Sequence, residues 1–301
     1  MIQRTLWALA ALAVSAAPAV GGVTVSVNPS PARERKADYI VDTGARVFRV
    51  AYTHREEKDG GFLPAEPEPE GYAGLHWFSD DAPGNWYWKG GGFLKVTVDG
   101  ENILNTVKPE WCVVSRGRKG IIEFTWRTAR ANVTARFCLR DGDDRLFLEI
   151  GAECQPPAKD IIVSLRNTAP FTTEAKTRRV LTPLREIGPE FAGKTEPLKQ
   201  EESWLFYHSP SDEKHGPSAL LWDPAQVKSA EISLPGAMTH TRLHLAEGVS
   251  KARFALWAFP PRESRTELME RFKSGLAVKG ASDLRGEDFA PPPKVEIKVK
   301  D

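Results

Sequence analysis

Apolar and polar residues alternate with a period of two along most of the chain, the spacing that turns one face of a strand inward and leaves the other to solvent. Val23, Val25 and Val27 open the pattern, and Pro29 and Pro31 stop it. Two more strands are expected over Tyr39 to Asp42 and Arg46 to Tyr52. Leu94, Val96 and Val98 lead into Asp99-Gly100, a dipeptide suited to the left-handed turn of a hairpin, and Ile103 and Leu104 follow. Ile122, Phe124 and Trp126 share one face, with Glu123, Thr125 and Arg127 on the other. Val133, Ala135, Phe137 and Leu139 then turn through Asp141-Gly142-Asp143-Asp144 into Leu146, Leu148 and Ile150. Two registers of that hairpin are open. With Gly142-Asp143 central, Phe137 faces Leu148 and Arg136 faces Glu149; with Asp141-Gly142 central, the pairs slip by two and Arg136 loses its partner. Both keep the apolar sets together, because the slip is even.

Further strands are expected at 161–165, 203–207, 218–222, 228–233, 238–245 and 251–259. The last is apolar on both faces, as Ala252, Phe254 and Leu256 alternate with Ala255, Trp257 and Phe259, which marks a covered central strand. One helix stands out. Ser264 and Glu267 form a capping box, and Leu268, Met269, Phe272 and Leu276 recur at helical spacing, so this helix is expected to pack across a sheet. Val295, Ile297 and Val299 suggest a final strand. About seventeen short strands and one helix imply a mostly β protein, a large antiparallel β-sandwich with one helix in the C-terminal region. Two stretches break the pattern and are expected as surface excursions: 56–71, with Pro64, Pro67 and Pro69, and 171–200, rich in Thr, Glu, Lys and Pro.

The first 19 residues read as an export signal. Arg4 supplies the basic region, Leu6 to Val14 the apolar core, and Ala17-Pro18-Ala19 a small-residue cleavage site. The remaining residues, 20–301, are expected as one domain outside the cytoplasm, secreted or periplasmic, with no transmembrane span after signal removal. Of 41 basic and 40 acidic residues, Arg4 leaves with the signal. The mature chain is then neutral, which excludes the basic field that a nucleic-acid partner requires. The three cysteines, Cys112, Cys138 and Cys154, are too few and scattered for a disulfide framework or a zinc site.

The stretch Gly71 to Phe93 departs most from ordinary strand sequence, because His76, Trp77, Trp86 and Trp88 are interleaved with Asp80, Asp81 and Asn85 between glycines. Flat aromatic faces beside hydrogen-bonding groups suit a sugar ring, so these seven residues form the expected ligand-binding set. At least one of Trp77, Trp86 and Trp88 is expected to show an indole face in a groove, with Gly90 to Gly92 letting the backbone approach the ligand. A second candidate is Tyr207-His208 at a strand end, where His titrates near neutrality and Tyr can pass a proton, an acid–base pair suited to β-elimination. Adjacent residues in a strand point to opposite faces, which weighs against that pair. His240 and His244, four residues apart on a strand, are roughly 13 Å apart and cannot easily share one ion. Asp80-Asp81 lacks the further spaced acids of a calcium loop. No metal and no cofactor are expected.

In strand count and order the chain resembles the galactose-mutarotase-like supersandwich over about residues 23–275. That family includes sugar epimerases and domains of polysaccharide lyases and glycosidases. The resemblance implies a sugar-related role, and mutarotases use a His and a Glu as acid and base; that pair has no residue-by-residue counterpart here. The resulting expectation is an exported, non-catalytic carbohydrate-binding protein with a glycan or sugar as ligand. Its alternatives are an epimerase- or lyase-type enzyme and a structural or interaction protein of the cell envelope.

Overall fold

A computed structural model describes residues 22–29, 35–56, 62–63, 74–86, 92–167, 177–210, 216–235, 238–261 and 264–290. The export signal, Trp88 and the expected strand at 295–299 lie outside the described residues, as does most of the stretch 56–71. Twenty-two strands are present among the described residues, and their pairings are antiparallel throughout.

Nine strands form the large sheet. It begins as a meander of Glu110–Arg116, Lys119–Arg127, Ala131–Arg140 and Leu146–Cys154. Lys251–Ala258 then inserts between Leu146–Cys154 and Ser218–Trp222, and Trp204–His208, Arg179–Leu181 and Glu186–Ile187 complete the sheet. The doubly apolar strand is therefore the fifth of nine, which is why both its faces need cover. The hairpin at 141–144 adopts the register in which Arg136 faces Glu149 and Phe137 faces Leu148.

The second layer consists of a six-stranded and a five-stranded sheet. Leu94–Val98 and Glu101–Asn102 join through Asp99 at φ 48° and Gly100 at φ 91°, both left-handed, as the Asp-Gly turn requires. Phe93 ties the two sheets together, since its N–H donates to the Leu75 carbonyl at 2.8 Å and its own carbonyl accepts from Arg166 at 2.7 Å. One apolar core lies between the layers, with Phe48 and Tyr52, Val96 and Val163, and Phe124 and Leu148 drawn from the three sheets.

The other face of the large sheet is divided. Ile121, Cys138, Phe147, Ala255 and Trp257 lie under a helical segment of Arg265–Arg271, Phe272–Leu276 and Ala277–Gly286. Ser264 caps this segment at its N-terminus, accepting from the Glu267 N–H. Gly280 sits where a Cβ would come within 2.9 Å of the Trp257 ring, so glycine lets the helix approach the sheet. The rest of this face is polar, and Glu123, Arg136, Glu149 and Arg253 stand side by side on four strands as a ladder of alternating charge. Among the described residues no helix is long and apolar enough to cross a membrane.

The polar stretch expected as an excursion over 171–200 contributes ordered strands from residue 179 onward, including Thr195–Leu198 at the edge of the six-stranded sheet. The reason is ionic. Glu202, fully buried, accepts from Arg185 Nε at 2.9 Å, Thr182 Oγ1 at 2.7 Å and the Lys199 N–H at 2.7 Å, and Arg185 also reaches Glu196 at 2.6 Å. Polar residues here hold the chain down.

Candidate functional site

The aromatic stretch folds as a hairpin of Gly74–Ser79 and Ala82–Trp86, and its geometry corrects the expected site. Trp77 and Trp86 are cross-strand partners, fully buried, with rings stacked at 5.9 Å and 16°. Trp86 also meets Phe93 and Tyr207 edge-on, and its indole N–H donates to the Trp257 carbonyl at 2.9 Å. Neither ring has a face left for a sugar. His76 is buried, with Nε2 3.1 Å from Thr53 Oγ1. Asp80 and Asp81 occupy the hairpin turn, where Arg49 Nε bonds Asp80 at 2.8 Å and Arg46 Nη1 bonds Asp81 at 3.1 Å. Asn85 lies on the strand Ala82–Trp86. Gly92, the described member of the glycine run, has φ +69°, and a Cβ there would fall 2.5 Å from the Leu75 backbone. Its close approach is to a neighbouring strand.

Tyr207 and His208 are likewise separated by the sheet. Tyr207 points into the core, its hydroxyl 3.0 Å from Thr241 Oγ1, and burial pushes its ionisation far above the usual phenol range. His208 points the other way, beside Phe206 and beneath the helical segment. Burial, aided by the charges of Arg265, Arg179 and Lys273, lowers its pKa to about 4. The two side chains cannot act on one substrate.

What the sandwich does offer is a cleft of about 920 Å³ at one end, between the layers. Three loops build it: the turn after Lys119–Arg127, the connection from Leu146–Cys154 to Ile161–Asn167, and the turn from Thr239–Leu245 to Lys251–Ala258. Thr128 closes the first loop by accepting from the Arg130 and Ala131 N–H groups. The Arg130 carbonyl then accepts from the Gln155 N–H at 3.1 Å, and the Ser250 carbonyl from the Ala152 N–H at 2.8 Å, bracing the loops against one another. Asp99, in the hairpin turn behind the cleft, accepts from the Lys159 and Asp160 N–H groups at 2.8 and 3.0 Å and from the Arg130 guanidinium. Arg130 and these N–H groups hold the Asp99 carboxyl below the usual carboxylate range.

Into this braced mouth project Asn132, Glu153, Lys159 and Lys228, while Asp160 pairs with His244 Nδ1 at 3.1 Å. Glu153, Lys159, Lys228 and Glu247 make no ion pair among the described residues, which leaves their heads for a ligand. Cys154 also lines the cleft, half-buried, and burial raises its pKa, keeping it a thiol. No disulfide and no group of metal ligands occurs among the described residues. The cleft escaped the sequence reading because each loop is unremarkable alone; the nearest signal was the run of Thr125, Arg127, Asn132 and Glu153 at outward strand positions.

Backbone comparison aligns 86% of this chain with 38% of an α-N-acetylgalactosaminidase from Bifidobacterium bifidum solved with GalNAc, at 7% identity and a TM-score of 0.51. A candidate aldose 1-epimerase from Klebsiella pneumoniae aligns over 91% of this chain and 92% of its own, at 8% identity and a TM-score of 0.42. A chondroitinase AC lyase aligns over 79% and 37%, at 11% identity and 0.41. The fold is a large antiparallel β-sandwich, shared with the aligned part of the B. bifidum enzyme. Likeness at such low identity is one of fold, and the chain spans little more than a third of the length of the glycosidase. No family model and no curated protein matches this chain.

Proposed function

We propose that this β-sandwich is a carbohydrate-binding domain of an exported protein, acting in the secreted or periplasmic space without catalysis of its own, and that its ligand sits in the end cleft. The observation that carries the reading is the cleft itself. It is large enough for a sugar ligand, open, braced by backbone hydrogen bonds and lined by amide, carboxylate and ammonium groups suited to hydroxyls. Loops that are already held in place lose little freedom on binding, which favours affinity. The fold shared with the B. bifidum glycosidase supports a sugar-related role, and Arg4, Leu6 to Val14 and Ala17-Pro18-Ala19 support export. Non-catalysis is supported by the separation of Tyr207 from His208, the one acid–base pair the sequence offered.

The test is calorimetric titration of the purified protein with a panel of oligosaccharides, beside the Asn132→Ala and Glu153→Gln variants. Binding that falls about tenfold or more in either variant, a loss of 1.4 kcal/mol or more, is expected. Binding that neither variant changes would move the ligand elsewhere, and turnover of aryl glycosides by the protein would overturn the non-catalytic reading. Because no indole of the described residues lines the cleft, tryptophan fluorescence should stay flat.

A further inference from the structure

The end cleft does not stop at the loops. Asn132, Glu153 and Ser250 also line a second, smaller groove of about 140 Å³ that continues onto the polar half of the large sheet. The floor of this groove is set by register. Arg127, Asn132 and Glu153 form one cross-strand row, and Thr125, Thr134, Gly151 and Lys251 the next. Glu123, in the row of the charge ladder, marks its far end. Beyond it Phe289 closes the face, its carbonyl accepting from Arg136 at 3.1 Å and its ring 4.8 Å from the Arg253 guanidinium. Gly151 keeps the floor low, since a Cβ there would meet the Thr134 hydroxyl at 2.5 Å. From the loop end of these strands to Glu123 is roughly 17 Å at the usual rise.

The charges along this track nearly balance. The cleft sets Arg130, Lys159 and Lys228 against Glu153, Asp160 and Glu247, and the groove sets Arg127 and Lys251 against Glu123 and Glu153. Arg130 is engaged by Asp99, and Arg127 by Glu110. Recognition of a carboxylate or sulfate along a polymer calls for converging guanidinium or ammonium groups. Glu153 serves both linings, so five cations stand among four carboxylates, and a polyanion would meet repulsion along most of the track. Interleaved donors and acceptors, with two threonine hydroxyls on the floor, instead match the hydroxyls of an uncharged chain.

We infer that the site takes an extended, uncharged oligosaccharide, which enters the end cleft and continues over Gly151 toward Phe289. This rests on the carbohydrate-binding reading above and adds to it the ligand's charge and length. The probes are uncharged gluco- and galacto-oligosaccharides of two and six units, with oligogalacturonates of the same lengths. For at least one uncharged series the hexamer should bind about tenfold more tightly than the dimer. Affinity should change little between low and high salt. Gly151→Leu raises the floor and should bring the hexamer down to the dimer's affinity while leaving dimer binding intact. Thr125→Leu, at an outward strand position, removes a floor hydroxyl without crowding the backbone and should weaken the hexamer alone. Preference for oligogalacturonate, or equal affinity for dimer and hexamer, would overturn the inference while leaving a sugar site in the cleft. Absence of binding by every probe would overturn the carbohydrate reading with it.

Discussion

His208 should make the protein lose stability in mildly acidic solution. The residue is 7% exposed, its ring packed against Phe206 at 5.9 Å and flanked by Arg265, Arg179 and Lys273. Burial first, and those three cations second, lower its pKa from 6.5 to about 4. The Glu186 carboxylate, 3.9 Å from Nε2, is half exposed, and its attraction does not offset them. Between those two values the unfolded chain binds a proton that the folded chain refuses, so stability rises with pH across that window. The contribution is fully present above pH 6.5 and is lost as pH falls toward 4. A separation of about 2.5 units corresponds to about 3 kcal/mol in total, of which about 2 kcal/mol falls between pH 7 and pH 5. Urea unfolding at those two pH values, for the wild type and His208→Gln, isolates this histidine from the others and from the carboxylates. The wild type should lose about 2 kcal/mol more than the variant over that interval, with unchanged m-values. Equal pH dependence in the two proteins would refute the argument and return His208 to an exposed, titrating position where a proton-transfer role could be considered again.

Trp86→Phe should retain ring stacking on Trp77 but strand the Trp257 carbonyl, costing about 1–3 kcal/mol in urea unfolding without changing glycan affinity; a glycan defect would restore the aromatic hairpin as the site. Gly92→Ala forces a side chain into φ +69° and against the Leu75 backbone, so a loss beyond the roughly 1–3 kcal/mol of backbone strain alone is expected, and a melting temperature equal to wild type would contradict the close approach. Glu287→Ala removes a buried carboxylate that Lys119 approaches at 3.0 Å and Arg140 at 3.1 Å. Since both cations are partly exposed, the expected cost is about 2 kcal/mol. Cys138 lies against Glu287 at 3.3 Å under the same segment, so its labelling by a thiol reagent should accelerate in that variant; unchanged labelling would show that Glu287 does not hold the segment down.

The strands were legible because their information is local. The alternation around Ile122, Val133 and Leu148 named the inward face of each strand, and Asp99-Gly100 named its turn. Even the covered position of Lys251–Ala258 could be read, since a strand apolar on both faces has nowhere else to go. The register of the 141–144 hairpin was narrowed to two, and the structure chose the one that joins Arg136 to Glu149 in the charge ladder. That choice draws on Arg253 and Glu123, which lie on other strands.

The candidate site was not legible, for the same reason in reverse. Trp77 and Trp86 looked like a sugar platform because composition records which side chains are present and not what covers them. Their cover is Tyr207, Phe93 and the Trp257 carbonyl, two of the three more than a hundred residues away. The acids beside them look like ligand groups in the sequence, where nothing puts Arg46 and Arg49, just before and within the strand Val47–Thr53, opposite the turn. The end cleft has the opposite history. Thr128 to Asn132, Glu153 to Ile161 and Leu245 to Ser250 are ordinary polar loops, and they meet only because Leu146–Cys154 pairs with Lys251–Ala258 across about a hundred intervening residues. Topology brings weak local signals together there and hides a strong one in the core. In a sandwich, the chemistry at a surface is therefore decided by which strands are neighbours, and tryptophans at inward positions are better evidence for the core than for a ligand.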